Sequence, residues 1–79
     1  MDATIAVIGI IVKDLDVIRE LNEILSSYDQ YIVGRMGLPH QKMELRVISI
    51  VIDAPVDIIG FFAGKVANLN GVAINTVYA

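Results

Sequence analysis

Cysteine and tryptophan are absent from this chain, and histidine occurs once. With no cysteine there is no disulfide, no thiolate nucleophile and no cysteine-built metal site. A single histidine also rules out the multi-histidine sites that hold zinc or nickel within one subunit. Basic residues are few: six Lys and Arg against nine Asp and Glu give a net charge of −3 and a pI near 4.7. They are scattered, and only Lys42 and Arg46 are near neighbours, with Glu44 between them. Nucleic-acid binding needs clustered cations to release counterions from phosphates, so no direct nucleic-acid partner is expected. Long hydrophobic runs are missing too. Ala3 to Val12, bounded by Asp2 and Lys13, falls well short of the ~20 residues that cross a bilayer. Its leading charge is acidic where a signal peptide needs a basic one. A cytoplasmic protein with no membrane partner is expected.

What the chain does have is apolar residues. They make up 56% of its 79 positions, with a mean hydropathy of +0.67, above the ~45–50% of ordinary globular domains. A domain this small buries only about 60–65% of the surface its unfolded chain exposes. Without disulfides, a partner subunit is the natural supplement to so marginal a core.

Hydrophobic patterning divides the chain into six elements. Ala3–Val12 is β-branched with no polar alternation, as in a strand buried on both faces. Asp14 offers an N-cap to a helix over Leu15–Tyr28, whose apolar face is Ile18, Leu21, Leu25 and Tyr28, widened by Val17 and Ile24. Tyr31–Leu38 reads as a strand weakened by Gly34 and Gly37, which points to an edge position, a bulge or a close backbone approach. Pro39 and His40 fall in a turn. A third strand over Glu44–Asp53 is again apolar on both sides. Pro55 suits the first turn of a helix to Leu69, with Ile59, Phe62, Val66 and Leu69 as its buried stripe. Asn70-Gly71 ends it, and Val72–Tyr78 forms the last strand, with Val72, Ile74, Thr76 and Tyr78 on one side.

The order βαββαβ, with two right-handed crossovers, predicts a single α+β domain over residues 1–79. Its fold class is the ferredoxin-like sandwich, a four-stranded antiparallel sheet with two helices on one face. The first and third strands, the most apolar, should be central. Both helices cover the same side of the sheet, yet neither side of these strands is polar. Ile5, Val7 and Ile11 alternate with Ala6, Ile8 and Ile10, and Leu45, Val47 and Val51 alternate with Ile48, Ile50 and Ile52. An uncovered apolar face is an association surface, so a homo-oligomer, dimer or tetramer, is expected.

The segments IAVIGIIV, YIVGRMGLP from Tyr31 to Pro39, VISIVIDAP from Val47 to Pro55 and GKVANLNGV from Gly64 to Val72 resemble, in order and spacing, the iron-only hydrogenase system regulators. The likeness covers nearly the whole chain. It implies an ACT-like domain, similar to the C-terminal effector domain of nickel-responsive repressors, that assembles as dimers or tetramers. Those repressors carry a ribbon-helix-helix ahead of this domain. Here the first strand starts within a few residues of Met1, so a regulator lacking its own DNA-binding element is expected. The Asp-x-Pro-Gly turn of amino-acid-binding ACT domains is replaced by Lys13-Asp14-Leu15-Asp16.

Six residues are candidate ligand contacts. Arg35, between Gly34 and Gly37 in an open strand, offers a forked donor to a carboxylate or phosphate; the competing reading is an ion pair across strands or subunits. His40 is a metal ligand shared between subunits or an exposed turn residue. Lys13 and Asp14 occupy the turn where ACT-like domains bind effectors, and serve equally as solvated loop and helix cap. Asp53 is expected to cap the second helix. Gly64-Lys65 lacks the leading glycine and the Ser or Thr of a phosphate loop.

No constellation for catalysis is present. There is no second histidine, and Ser26, Ser27 and Ser49 have no base beside them. The reading is a non-enzymatic, oligomeric module with no cofactor, acting through a small-molecule effector and a protein partner. The alternative is a metal or cofactor sensor, chaperone-like, in hydrogenase maturation.

Overall fold

The computed structural model describes residues 3–40 and 44–79, with the side chains of Pro39 and His40 left out. Strand β1 (Ala3–Val12) leads through a short 3-10 turn (Leu15–Val17) into helix α1 (Ile18–Ser27). A second 3-10 turn (Asp29–Tyr31) precedes β2 (Ile32–His40), followed by β3 (Leu45–Pro55), α2 (Val56–Ala67) and β4 (Val72–Tyr78). The sheet order is β2-β3-β1-β4, and every neighbouring pair is antiparallel. The fold is thus the expected ferredoxin-like α+β arrangement, with the two most apolar strands in the middle.

Strand alternation sorts the residues into two layers. Ala6, Ile8, Ile10 and Val12 of β1 and Ile48, Ile50, Ile52 and Ala54 of β3 are buried beneath the helices. Helix α1 contributes Leu21 and Leu25 to this core, and α2 contributes Ile59, Phe62 and Val66. Phe62 is fully buried and meets the ring of Tyr28 edge-on at 5.2 Å, the arrangement aromatic quadrupoles favour. The stripes read from the sequence therefore face the core. Burial of each such side chain stabilises the fold by roughly 1.5–3 kcal/mol.

The junction between β1 and α1 is held tightly. The Asp14 carboxylate accepts a hydrogen bond from the Asp16 N–H at 3.0 Å, capping the 3-10 turn. The Lys13 N–H donates to the Gly71 carbonyl at 2.6 Å, tying this turn to the one that ends α2. Gly71 has φ +67°, and a Cβ placed there would lie 2.6 Å from the Asp14 Cβ. Only glycine meets both the backbone conformation and the close approach.

Three local expectations need correction. Asp53 does not cap α2. It lies within β3 opposite Ile5, and the helix starts at Val56 with no side-chain cap on its first turn. The ladder to β1 runs to the Ala3–Pro55 pair, which holds Asp53 in extended backbone, away from the free helical N–H groups. Asp57 supplies the negative charge in the first turn, and its Oδ1 accepts from the Ile58 N–H at 2.9 Å. Pro39 and His40, expected in a turn, belong to β2 and pair with Arg46 and Leu45. An edge strand tolerates a proline whose missing N–H would face outward. Finally, the first helix is divided, with a 3-10 turn before α1.

Candidate functional site

Two features of the described residues can recognise something outside the subunit. The first is the sheet face opposite the helices. Across its rows lie Leu38, Val47, Ile11 and Ala73; then Met36, Ser49, Gly9 and Asn75; then Gly34, Val51, Val7 and Val77. Asp53, opposite Ile5 at one end, is the one charged residue among these paired positions. Seven large apolar residues of this face are exposed, from Ile11 at 38% to Val77 at 68%. Gly9 makes a depression between Ile11, Val47 and Ala73.

The second feature lies on the helix side, where α1 leaves the edge of the sheet uncovered. Arg35 pairs with Ile50 and Gly37 with Ile48, so both point to the helix side of β2. Arg46 follows the same parity on β3, two residues before Ile48. With Ile18 and Asn22 of α1 and with Leu38, these residues line a cleft of about 210 Å³. Two arginines and an asparagine thus share the lining with apolar residues, and no carboxylate is in it. The β-bulge between Ile32 and Gly34 sets this parity, because one extra residue reverses which side every following side chain takes.

The structure brings two of the six candidate contacts together. Arg35 and Gly37 share the cleft, and the residue opposite Arg35 is apolar, so no cross-strand ion pair is made there. Gly34 pairs with Val51 on the open face instead. Lys13 is exposed and Asp14 half-buried in the capped turn, outside the cleft lining. The metal reading of His40 turns on a side chain outside the described residues. Among the described residues no three His, Asp or Glu side chains gather to hold a metal.

Arg46 and Asn22 were not singled out from the sequence. The signal for Arg46 is its position in the β3 alternation, even-numbered with Ile48 and Ile50. Asn22 is one helical turn from Ile18, on the rim of the apolar stripe. Both become visible only once α1 is set against β2.

No helix among the described residues is long and apolar enough to cross a membrane. No curated protein matches the chain in sequence. Among solved structures, the uncharacterized protein TM1266 from Thermotoga maritima superposes with a TM-score of 0.93 at 27% identity, covering 98% of both chains. A formyltetrahydrofolate deformylase from Pseudomonas putida KT2440 shares the fold at a TM-score of 0.66 and 10% identity. It covers 92% of this chain, which spans 28% of the deformylase. An unknown protein from Galdieria sulphuraria does likewise at 0.69 and 11%, over 99% of this chain and 46% of its own. The family model "TM1266-like: Iron-only hydrogenase system regulator, putative" matches residues 4–76, nearly the whole βαββαβ unit, and the chain belongs to that family.

Proposed function

We propose that this protein is a homo-oligomeric, ACT-like regulatory module of an iron-only hydrogenase system, acting by binding an effector and a protein partner and not by catalysis. One observation carries the proposal: the sheet face opposite the helices is mainly apolar, with Ser49 and Asn75 as the polar residues of its middle row and a single charge, Asp53, at one end of its paired positions. Left in water, the exposed Ile5, Val7, Ile11, Met36, Leu38, Val47 and Val77 forgo the stabilisation that burial gives, about 25 cal/mol for each Å² covered.

The occupant that fits is a second copy of the same face. Four strands about 4.8 Å apart, each of roughly eight residues at about 3.4 Å, give a footprint on the order of 500 Å² before side-chain relief is added. That approaches the ~800 Å² per partner of a standard interface. Relief across the face is suited to self-packing, since Met36 stands up in the same row in which Gly9 leaves a depression. The family's description as a hydrogenase system regulator supports a regulatory output. The net charge of −3 favours a protein contact over direct binding to nucleic acid.

Size-exclusion chromatography with light scattering on the 8.6 kDa chain tests this. At micromolar concentration the mass should be two or four times that of the chain. Val7→Glu, in the middle of the open face, should shift it toward one. A wild-type protein that runs as a folded monomer would refute the assembly.

A further inference from the structure

We infer that the cleft between α1 and the β2–β3 pair binds a small dianion, one end held by Arg35 and the other by Arg46. The inference rests on the effector-binding part of the proposed function; of the seven residues lining the cleft, Leu38 alone belongs to the open sheet face.

Charge is the first ground. Two of the six basic residues of a chain with net charge −3 line one small cleft, and among the described residues no carboxylate joins them there. Two guanidinium groups facing one partly enclosed space repel each other, and an anion between them turns that repulsion into attraction. Each fork suits a carboxylate or phosphate oxygen pair.

Spacing decides between one anionic group and two. Arg35 pairs with Ile50, and Arg46 lies four residues back along the same strand. At about 3.4 Å per residue the two are anchored roughly 14 Å apart along the sheet. Side chains leaning inward from that separation meet the two ends of a short molecule more readily than one small ion. Between them the floor is Ile48 and Gly37, with Ile18 above, an apolar stretch for a short carbon chain. Asn22 adds an amide able to meet a hydroxyl or carbonyl on that chain.

Size restricts the ligand further. About 210 Å³ is below the ~300–1,000 Å³ of sites for drug-sized molecules and too small for a nucleotide. It suits a molecule on the order of ten non-hydrogen atoms, such as a short dicarboxylate or a phosphorylated short-chain acid. Gly37 keeps this space open: a Cβ built there meets nothing within 4 Å, so its lack of a side chain answers to no packing need within the subunit.

Isothermal titration calorimetry on the full chain tests the site. The probes are glutarate, a dicarboxylate; phosphoglycolate, a phosphate with a carboxylate; and butyrate and inorganic phosphate as controls with one anionic group. One of the two probes with two anionic groups should bind saturably, at least about tenfold tighter than either control, and which one binds identifies the second anionic group. Arg35→Gln should weaken it by about tenfold or more, the loss of one charge-assisted contact. Gly37→Val fills the cleft with a good strand former and leaves both arginines in place. It should abolish binding while circular dichroism stays unchanged. Absence of saturable binding at millimolar concentration, equal binding of all four probes, or binding that survives both substitutions would overturn the inference. Light scattering on the same samples separates the two proposals, since a monomer that binds the dianion defeats only the assembly, and an oligomer that ignores it defeats only the site.

Discussion

Replacing Gly71 with alanine is expected to destabilise the protein by about 2–4 kcal/mol. The left-handed backbone at φ +67° costs an L-residue roughly 1–2 kcal/mol. The added Cβ would also lie 2.6 Å from the Asp14 Cβ, 2.9 Å from its backbone nitrogen and 3.3 Å from its Cα. Two of those three atoms are backbone, and the Asp14 side chain is committed to the Asp16 N–H, so neither side can yield cheaply. Such overpacking costs about 1–3 kcal/mol. The stiffer unfolded chain returns only some 0.4–1 kcal/mol. At roughly 0.05–0.15 kcal/mol per residue, 79 residues have a total stability on the order of 4–12 kcal/mol, so at least about a sixth of it is at stake. Urea denaturation followed by circular dichroism, at one protein concentration because assembly shifts apparent stability, should show a lower midpoint with an unchanged slope. Gly71→Asn separates the two causes. Asparagine accepts the left-handed conformation but still carries a Cβ, so it should retain the steric share of the loss. Wild-type stability in Gly71→Asn would refute the contact with Asp14, and a loss below about 0.5 kcal/mol in Gly71→Ala would refute the whole account.

Two further outcomes follow from the packing and the caps. Phe62→Ala removes a fully buried ring and its edge contact with Tyr28, at a cost of about 3–5 kcal/mol; thermal melting should show a large loss of Tm or no cooperative transition, and a shift of only a few degrees would place the core elsewhere. Asp14→Ala should lose about 1 kcal/mol with its cap, while Asp53→Ala, on a strand and bonded to no helix end, should stay within about 0.5 kcal/mol. Paired urea titrations compare them, and the reverse order would restore Asp53 as the capping residue.

Much of the architecture was legible because burial leaves a trace in composition. Strands β1 and β3 carry apolar residues on both sides, the pattern of central strands with no polar face. The stripes of α1 and α2 were visible at helical spacing, and Gly34 and Gly37 pointed to an edge, a bulge or a close backbone approach in β2, which is an edge strand with a bulge between Ile32 and Gly34. Local reasoning failed where a long-range partner intervened. Asp53 sits two residues ahead of Pro55, which the sequence placed in the first turn of a helix, an ordinary setting for a cap; the ladder to β1 runs through both residues, so Asp53 stays extended opposite Ile5 and the helix starts only at Val56. Likewise Pro39 and His40 read as a turn, yet β3 carries matching partners in Arg46 and Leu45.

The candidate cleft shows the same division. Arg35 flanked by glycines is a local feature and can be read from the chain. Its companionship with Arg46, eleven residues away, cannot, because it depends on the register of β2 against β3 and on a bulge that turns Arg35 toward the helices.

The sequence alone determined the number and order of elements, which strands are central and which helix stripes face inward, because these follow from periods of two and 3.6 residues that each segment carries within itself. Only the tertiary structure decided which residues share a face with residues of another strand. A one-residue change in register reverses that assignment, and no pattern confined to a single segment records where its neighbour begins.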